Sequence, residues 1–409
     1  MAWFLSLSLM FCWVPSALAA TASPANLVAH PGTVLVDVPV RRAELKHAPQ
    51  LCKGAPFRTT IPQPIADVSA PKGYGTDNRF ASIGETVMAW AAGCLGGDSA
   101  QCKRIVELET EWASADAPQI HSKMGNGREP QPAVFFNDSL SVNLHFMKPA
   151  IVAYAIARET TPVDRSVDAS INEWIKKVLA RSEHMMRDGS RQTSGNERGI
   201  LNAAGNHAIA SASALMAYGG LAGASDYFRL GLDQWTITLG SMRSDGSLPI
   251  ETRRGARAIF YTGRAIEGLI SIAEMARLQG IDLYSKAAGN KKDIHAAVAY
   301  MLDALENTDK ITLYAKENFA PGPSDDWKSQ DLSYLGNDLG WIVVYMKRFP
   351  DHQNTIRIRS LKLDRRIVGQ QIARIGDTTV QLADARILNA DELIADWFGS
   401  DIACFYGAP

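Results

Sequence analysis

Apolar residues recur at spacings of three and four along most of this chain, and that recurrence constrains its fold more than any other feature. The pattern runs from about Gly84 to Gln279, interrupted by clusters of Gly, Pro, Asp and Ser. Such spacing places apolar side chains on one face of a helix, so it predicts a succession of helices. The predicted helices cover residues 83–92, 139–157, 171–187, 207–218, 226–242, 253–278 and 292–305.

The connections between these helices are too short for the crossovers of a parallel sheet, which favours an all-α core. A bundle and a toroid of helix pairs both fit the pattern. With 409 residues, of which 46% are hydrophobic, the chain is long enough for one large core or two smaller ones. The helical part is predicted to occupy residues 78–351.

Both ends of the chain lack the helical period. Residues 20–77, rich in Pro, Val and Thr, predict an extended arm or loops over the core. Residues 355–380 alternate with period two around Gly376 and Asp377, which is typical of a hairpin. We therefore expect a small β-rich element over residues 352–409, with a short helix at 391–397.

The first nineteen residues have the features of a secretory signal peptide. An apolar run from Trp3 to Val14 precedes Ala17-Leu18-Ala19, a small-residue cleavage site. This run is too short for a comfortable membrane span, and no later segment has the roughly twenty apolar residues that one needs. The prediction is export to the periplasm or beyond, with cleavage near Ala19 and no insertion into a membrane.

Four cysteines follow the presumed signal: Cys52, Cys94, Cys102 and Cys404. In an exported protein they allow two disulfides in three possible pairings, with buried free thiols as the alternative. None forms a CxxC pair, which argues against a zinc site. The formal net charge of -1 gives no support for a nucleic-acid partner, so any attraction to a polyanion must come from a local cleft.

The segment DGSLPIETRRGARAIFY, residues 245–261, is the best candidate for such a cleft. Within this segment and just after it, Arg and Tyr residues follow one another at spacings of three, four and three. This spacing predicts one stripe on one helix, formed by Arg254, Arg257, Tyr261 and Arg264. Fixed cations favour the ionised form of a nearby phenol and can hold a carboxylate against it. The alternative is a solvated face with Glu251 and Glu267 as ion-pair partners.

Asn206 and His207 lie about fifty residues upstream, before an apolar helix of small residues. They offer an amide donor and a proton carrier, and Gly205 permits close approach. Neighbouring helical residues point about 100° apart, so both reach one ligand only at a helix start or a turn. A lone His is more often structural, and a lone Tyr such as Tyr261 is more often a core aromatic.

Other catalytic patterns are weak. The chain has no HExxH, GxSxG or GxxxxGK motif. Asp325 and Asp326 suggest the paired carboxylates of glycoside hydrolysis, but adjacent acids in a loop are usually solvated. The loop with Lys72 and Tyr74 either closes over a sugar or is plain surface.

These residues resemble the alginate lyase family with an (α/α) toroid fold, of the periplasmic polymannuronate lyase type. Residues 245–261 match its DGxLPxE, Arg, Arg, Tyr pattern without a gap. Asn206-His207 matches its Asn-Asn-His motif, with Gly205 at the first position and Ala208-Ile209-Ala210 where aromatic residues usually follow. The similarity is strongest over residues 203–283, weaker over the rest of 73–351, and absent from the last sixty or so residues.

The resemblance implies a toroid, an incomplete barrel of helical hairpins, and a role for each matching residue. Tyr261 would be the acid/base and His207 a second proton-transfer or orienting group, while Asn206 and Arg254 would neutralise a uronate carboxylate. Further candidates for substrate binding are Lys72, Tyr74, Arg257 and Trp341. The positions of Cys52 and Cys102 resemble those of a family disulfide.

The predicted function is therefore cleavage of a uronic-acid polymer by β-elimination, which leaves a 4,5-unsaturated uronate end. Neutralising the carboxylate stabilises the charge that develops when the C5 proton leaves, without any metal or cofactor. Alginate or polymannuronate is the expected substrate of a monomeric enzyme, with glucuronan as an alternative. A non-catalytic protein of exopolysaccharide binding or secretion, and a toroid glycoside hydrolase using Asp325 or Asp326, are the competing classes.

Overall fold

Helices make up most of the described part of this protein. The computed structural model describes residues 26–52, 60–66, 78–118, 138–187, 205–288, 292–317, 327–328, 330, 339–361, 363, 366–375, 378–388 and 402–407. The first half contains α1 Val38–Leu45, a 3₁₀ turn Pro49–Cys52, α2 Asn78–Leu95, α3 Ser99–Ser114, a π-helix Asp138–Met147, α4 Lys148–Thr160, α5 Arg165–Arg187, α6 Asn206–Ala222 and α7 Ser225–Gly240.

The second half begins with two short helical segments. In order, its elements are α8 Pro249–Thr252, a 3₁₀ turn Gly255–Arg257, α9 Ala258–Leu278, α10 Ile294–Glu306, α11 Asp309–Ala315, α12 Trp341–Arg348, α13 Gln353–Ser360, strands β1 Arg366–Ile375 and β2 Thr378–Leu388, and α14 Ile402–Tyr406. No helix within these described ranges is both long enough and apolar enough to cross a membrane.

The long helices form two layers that alternate along the chain. Helices α4, α6 and α9 are buried almost all round, which is typical of helices inside a large core. Helices α5 and α7 carry one buried face each and pack outside them. Successive pairs such as α6 and α7 are joined by short loops, so the chain builds helical hairpins with one inner and one outer member.

Small residues let the two helices of a hairpin approach closely. A Cβ atom at Gly219 of α6 would lie 2.4 Å from the backbone nitrogen of Phe228 in α7. That distance is impossible for a real side chain, so any substitution there must push the two helices apart. The composition of α6, which suggested a buried helix, therefore also sets the spacing between the layers.

The described segments near both ends of the chain are joined to this core, and the first of them differs from the predicted extended arm or loops. The presumed arm contains α1, capped by the Asp37 side chain at the Val40 backbone nitrogen. The Arg41 side chain of α1 donates to the carbonyl oxygens of Cys404 (2.7 Å) and Ala403 (2.8 Å) in α14. A disulfide between Cys52 and Cys404 fastens the same two regions.

The second disulfide joins Cys94 and Cys102 across the turn between α2 and α3. The pairing of Cys52 with Cys102, implied by the family resemblance, is therefore wrong. The two cysteines of each disulfide belong to elements that are neighbours in the fold. The sequence alone leaves all three pairings open.

A β-rich element over residues 352–409 is not supported, because helices occupy both of its ends. The run that alternates from Thr355 forms α13, where Thr355 and Ile358 are buried on one helical face. The carboxyl end forms α14, whose side chains are buried in the core. Between them β1 and β2 pair antiparallel, from Arg366 opposite Leu388 to Ile375 opposite Thr378. The helix expected at 391–397 lies outside the described residues.

A buried carboxyl group, that of Glu109, is expected to make the stability of the fold depend on pH. Burial raises the pKa of the Glu109 carboxyl in α3 to about 8, and neither carboxyl oxygen has a hydrogen-bond partner within the described part of the chain. Between the ordinary carboxyl pKa and pH 8, the folded protein retains a proton that the unfolded chain has lost, so stability falls as pH rises.

Replacing Glu109 with Gln is expected to remove that fall. The gain in the free energy of unfolding should be small near pH 5 and exceed about 1.4 kcal/mol at pH 8, since one pKa unit is worth that much. Urea unfolding at several pH values measures it. Glu107→Gln, at an exposed position of the same helix, is the matched control, and a pH-independent gain in Glu109→Gln would contradict the prediction.

Candidate active site

His207 and Tyr261 are the partly exposed residues of two otherwise buried inner helices. In α6 every residue from Asn206 to Leu221 is buried except His207. In α9 every residue from Ala258 to Ala276 is buried except Tyr261. Both positions lie in the first turn or so of their helices, and α6 packs against α9. The structure therefore presents an imidazole and a phenol at the amino-terminal ends of two adjacent helices.

The predicted single helix over 253–278 is wrong, and so is the single stripe on it. The chain forms α8, turns at Gly255, and begins α9 at Ala258. Gly255 has φ of +58°, a left-handed conformation that favours glycine and interrupts the helix. On one helix Arg254 would lie two turns from Tyr261. Because the chain breaks, the Arg254 Cζ atom lies 4.1 Å from the centre of the Tyr261 ring.

A glutamine that no sequence motif marks, Gln330, holds this break in place. The Gln330 side chain accepts a hydrogen bond from the Ile259 backbone nitrogen (3.2 Å) and donates one to the Gly255 carbonyl oxygen (3.1 Å). Gln330 is buried. It lies some seventy residues downstream in a region without helical period, and only its place in the fold marks it.

Asn206 is fixed by Glu251, for which the sequence suggests only the role of a solvated ion-pair partner. The Glu251 carboxylate is fully buried and accepts hydrogen bonds from the Asn206 backbone nitrogen (2.7 Å) and Nδ2 (3.0 Å). Burial raises the pKa of Glu251, and the charge of Arg254 and the Asn206 hydrogen bonds partly offset that rise. Glu251 thus links the start of α6 to the arginine over Tyr261.

Arg254 and Tyr261 keep polar atoms for a ligand. Within the described part of the chain, Arg254 makes no hydrogen bond: its guanidinium contacts the Tyr261 ring and attracts Glu251. Its Nε is buried, whereas both Nη atoms are accessible. The Tyr261 hydroxyl likewise makes no hydrogen bond to a described residue. A carboxylate on the Nη atoms would therefore lie beside a phenol that has no competing partner.

The other arginines of the predicted stripe have different surroundings. Arg264 is buried, with Cζ 5.7 Å from the Phe260 ring, and its charge also acts on Glu251. Arg257 is half-buried at the end of the 3₁₀ turn. Glu267 is fully buried. The interpretation of this segment as a solvated charged face is therefore wrong.

Trp341 belongs to the core, which corrects its assignment to substrate binding. Its side chain is fully buried and packs edge-on against Tyr345, with ring centres 6.1 Å apart. An indole without an exposed face cannot stack on a sugar. Lys72 and Tyr74, and the carboxylate pair Asp325 and Asp326, lie outside the described residues.

Glu251 yields a testable prediction. In Glu251→Gln the amide has one acceptor oxygen for the two Asn206 donors, and the buried cations lose their counter-charge. We expect the free energy of unfolding to fall by about 1–3 kcal/mol, measured by urea unfolding. Glu317→Gln removes the exposed partner of Arg253 in the same region and should cost at most about 1 kcal/mol. Equal losses in both variants would be inconsistent with the proposed link.

The fold and the site together define a mainly helical protein of paired inner and outer helices, with an Arg–Tyr pair and an Asn–His pair at one end of its inner layer. The family described as alginate lyase has a sequence model that matches residues 86–311, more than half of the chain. The chain belongs to the alginate lyase family. The matched range contains Asn206, His207, Arg254 and Tyr261.

Individual relatives are distant. An alginate lyase of Pseudomonas syringae pv. syringae (strain B728a) is 24% identical over 252 residues, which are 61% of this chain and 58% of the relative. A polysaccharide lyase of Stenotrophomonas maltophilia (strain K279a) is 33% identical over 119 residues, 29% of this chain and 32% of that protein. The chain thus matches less than two thirds of the length of either relative.

A solved structure confirms the predicted all-α fold. Alginate lyase A1-III from Sphingomonas species A1 superimposes with a TM-score of 0.61 at 22% identity, covering 81% of this chain and 91% of that one. At this identity the likeness concerns the fold.

Proposed function

We propose that this protein is a polysaccharide lyase that cleaves a uronic-acid polymer by β-elimination. The observation that carries the proposal is the Arg254 guanidinium over the Tyr261 ring, with both Nη atoms and the phenol hydroxyl free of hydrogen bonds to described residues. This geometry places a carboxylate-binding group next to a group that can move a proton. Family membership supports the same reaction.

The reaction begins with removal of the proton on C5 of a uronate. Arg254 binds the adjacent carboxylate, and Asn206 supports it, so that the negative charge which develops on the carboxylate oxygens is stabilised. The C5 proton passes to the Tyr261 oxygen as phenolate, or to a ring nitrogen of neutral His207. The Glu251 carboxylate keeps Asn206 in position through its two hydrogen bonds.

Elimination then completes the cleavage. The electron pair left on C5 forms the C4–C5 double bond, and the bond from C4 to the glycosidic oxygen breaks. Tyr261 returns a proton to that oxygen if both transfers take place on the same face of the sugar. The products are a new chain end with a free hydroxyl and a 4,5-unsaturated uronate, so atoms and electrons balance without a water molecule.

Polymannuronate or alginate is the substrate that we propose first. The sequence differs from its family after His207, where Ala208, Ile209 and Ala210 replace aromatic residues. All three are buried, so this difference lies in the packing of α6, whereas His207 is half-buried near the start of that helix. That burial supports retention of the family's substrate class, with glucuronan second. Arg257, Lys72 and Tyr74 are the proposed additional substrate-binding residues of a monomeric, exported enzyme.

One assay tests the proposal. The purified mature chain is incubated with alginate, polymannuronate and glucuronan, and both ultraviolet absorbance of the new double bond and reducing ends are followed. A lyase raises both signals together. Reducing ends without absorbance would indicate a hydrolase, and polymer binding without either signal would indicate a non-catalytic binding protein, so either outcome would overturn the proposal.

A further inference from the structure

A cavity lies at the opposite end of α9 from the candidate active site. Its volume is about 510 Å³, and Arg277, Tyr284, His295, Arg348 and Phe349 contribute to its walls. Arg277 follows Tyr261 by sixteen residues on α9, about 24 Å along the axis at 1.5 Å per residue. The cavity has the size of a small-molecule site and is separate from the groups assigned to catalysis.

Two guanidinium groups in this cavity are held in place by one buried carboxylate. Glu274, fully buried, accepts hydrogen bonds from Arg348 Nε (2.9 Å) and Nη2 (2.7 Å) and from Arg277 Nε (3.2 Å). Arg348 Nη1 and both Nη atoms of Arg277 make no hydrogen bond to a described residue. The buried anion pre-orients the two cations and leaves their remaining Nη donors available, a suitable arrangement for a carboxylate.

His295 contributes to the same wall. Its Nδ1 lies 2.6 Å from the Tyr345 hydroxyl, which also receives a hydrogen bond from Asn354 Nδ2 (3.1 Å). The same hydroxyl lies 3.3 Å from Nδ1 of His352, which accepts from the Asn354 backbone nitrogen (3.1 Å). These contacts hold the His295 ring in position at the cavity.

The remaining walls suit a sugar ring and its hydroxyl groups. Phe349 and Tyr284 form an edge-to-face pair with centres 5.1 Å apart, which provides an apolar surface. Asp282 and Ser285 are exposed at the cavity, and the Asp282 carboxylate also accepts from the Ser285 backbone nitrogen (3.2 Å). A carboxylate acceptor repels a second anionic group but accepts readily from sugar hydroxyls.

We infer that this cavity binds an acidic sugar residue, with its carboxylate on Arg277 and Arg348 and its ring against Phe349. The carboxylate chemistry follows from the cavity alone, whereas the choice of a polyuronate as the occupant rests on the proposed function. A polymer that occupies this site and the active site at once binds more tightly than a short oligomer, because the second contact is intramolecular.

Binding is measured by calorimetry with a saturated mannuronate tetrasaccharide, on full chains that carry Tyr261→Phe so that the probe is not consumed. We expect two sites per chain. Arg277→Gln, which leaves the contacts between Arg348 and Glu274 in place, should weaken the second site at least tenfold and leave the first unchanged. Hydrogen exchange should show ligand protection at residues 277–285 that disappears in this variant.

Two further variants keep the test independent of folding. Ser285→Glu adds a negative charge at an exposed position of the cavity and should also abolish the second site. Lys286→Gln removes a neighbouring exposed cation outside the cavity wall and should leave both sites intact. A single site in the parent chain, a second site insensitive to Arg277→Gln, or an equal loss in Lys286→Gln would overturn the inference.

The outcome is separable from that of the proposed function. If wild type lacks lyase activity but the second site binds the tetrasaccharide, the proposed reaction fails and the carboxylate site stands. If wild type cleaves polymannuronate but only one site is found, the proposed reaction stands and the carboxylate site fails. A neutral mannose tetrasaccharide should not bind the second site, and binding as tight as that of the uronate would also overturn the inference.

Discussion

Replacing Tyr261 with phenylalanine is expected to lower the rate of double-bond formation on polymannuronate by a hundredfold or more. The hydroxyl is the proposed carrier of the C5 proton and of the proton returned to the glycosidic oxygen. General acid/base groups contribute about 10²–10⁴ in rate, and loss of both transfers places the effect toward the upper part of that range. The measurement is the initial rate of ultraviolet absorbance increase at saturating polymer.

Substrate binding should survive the same change. The ring that contacts the Arg254 guanidinium remains in Tyr261→Phe, so Arg254 keeps its position. Tyr218→Phe is the matched control, because it also removes a phenol hydroxyl, from a buried ring that packs edge-on against Tyr227. The control should retain activity within about twofold. Full activity in Tyr261→Phe would refute the proposed mechanism.

Removal of the disulfide between Cys52 and Cys404 is expected to cause the largest loss of stability. The bridge spans a sequence separation of 352 residues, so it restricts the unfolded chain far more than a short link does. Disulfides that close long loops typically contribute about 2–5 kcal/mol. The double variant Cys52→Ser, Cys404→Ser should show this decrease in denaturant unfolding under oxidising conditions.

The second disulfide provides an internal comparison. Cys94 and Cys102 are only 8 residues apart, so the double variant at these positions should be less destabilised. The helix α14 that carries Cys404 is also held by Arg41 and by a hydrogen bond from Lys347 to the Tyr406 carbonyl oxygen. The chain-entropy explanation would be contradicted if the free energy of unfolding fell equally in the two double variants.

The existence of the long helices followed from the sequence because their apolar period is a local signal. The apolar period predicts helices over residues 207–218 and 226–242, and the ends of α6 and α7 differ from these bounds by no more than four residues. The prediction of a strand where α13 forms is wrong, since the alternating Ile and Arg residues before Ser360 fit a strand as well as a helix. Burial of Thr355 and Ile358 against the core decides between the two.

The candidate active site also combines features that are local in sequence with features that depend on the fold. Asn206, His207, Arg254 and Tyr261 were selected from residue types and a family motif, and the structure connects Asn206 to Tyr261 through Glu251 and Arg254. The break at Gly255 was missed because an isolated glycine is tolerated inside helices. That break brings the guanidinium onto the phenol.

By itself the sequence determined where most of the long helices lie, and it marked Asn206, His207, Arg254 and Tyr261 as candidates for chemistry, because periodicity and motifs are properties of neighbours along the chain. The tertiary structure alone decided which cysteines pair, that Trp341 is buried, and that Glu251 and Gln330 hold the site. These depend on contacts between residues far apart in sequence. Their energies come from burial and hydrogen bonds that exist only once the helices have packed.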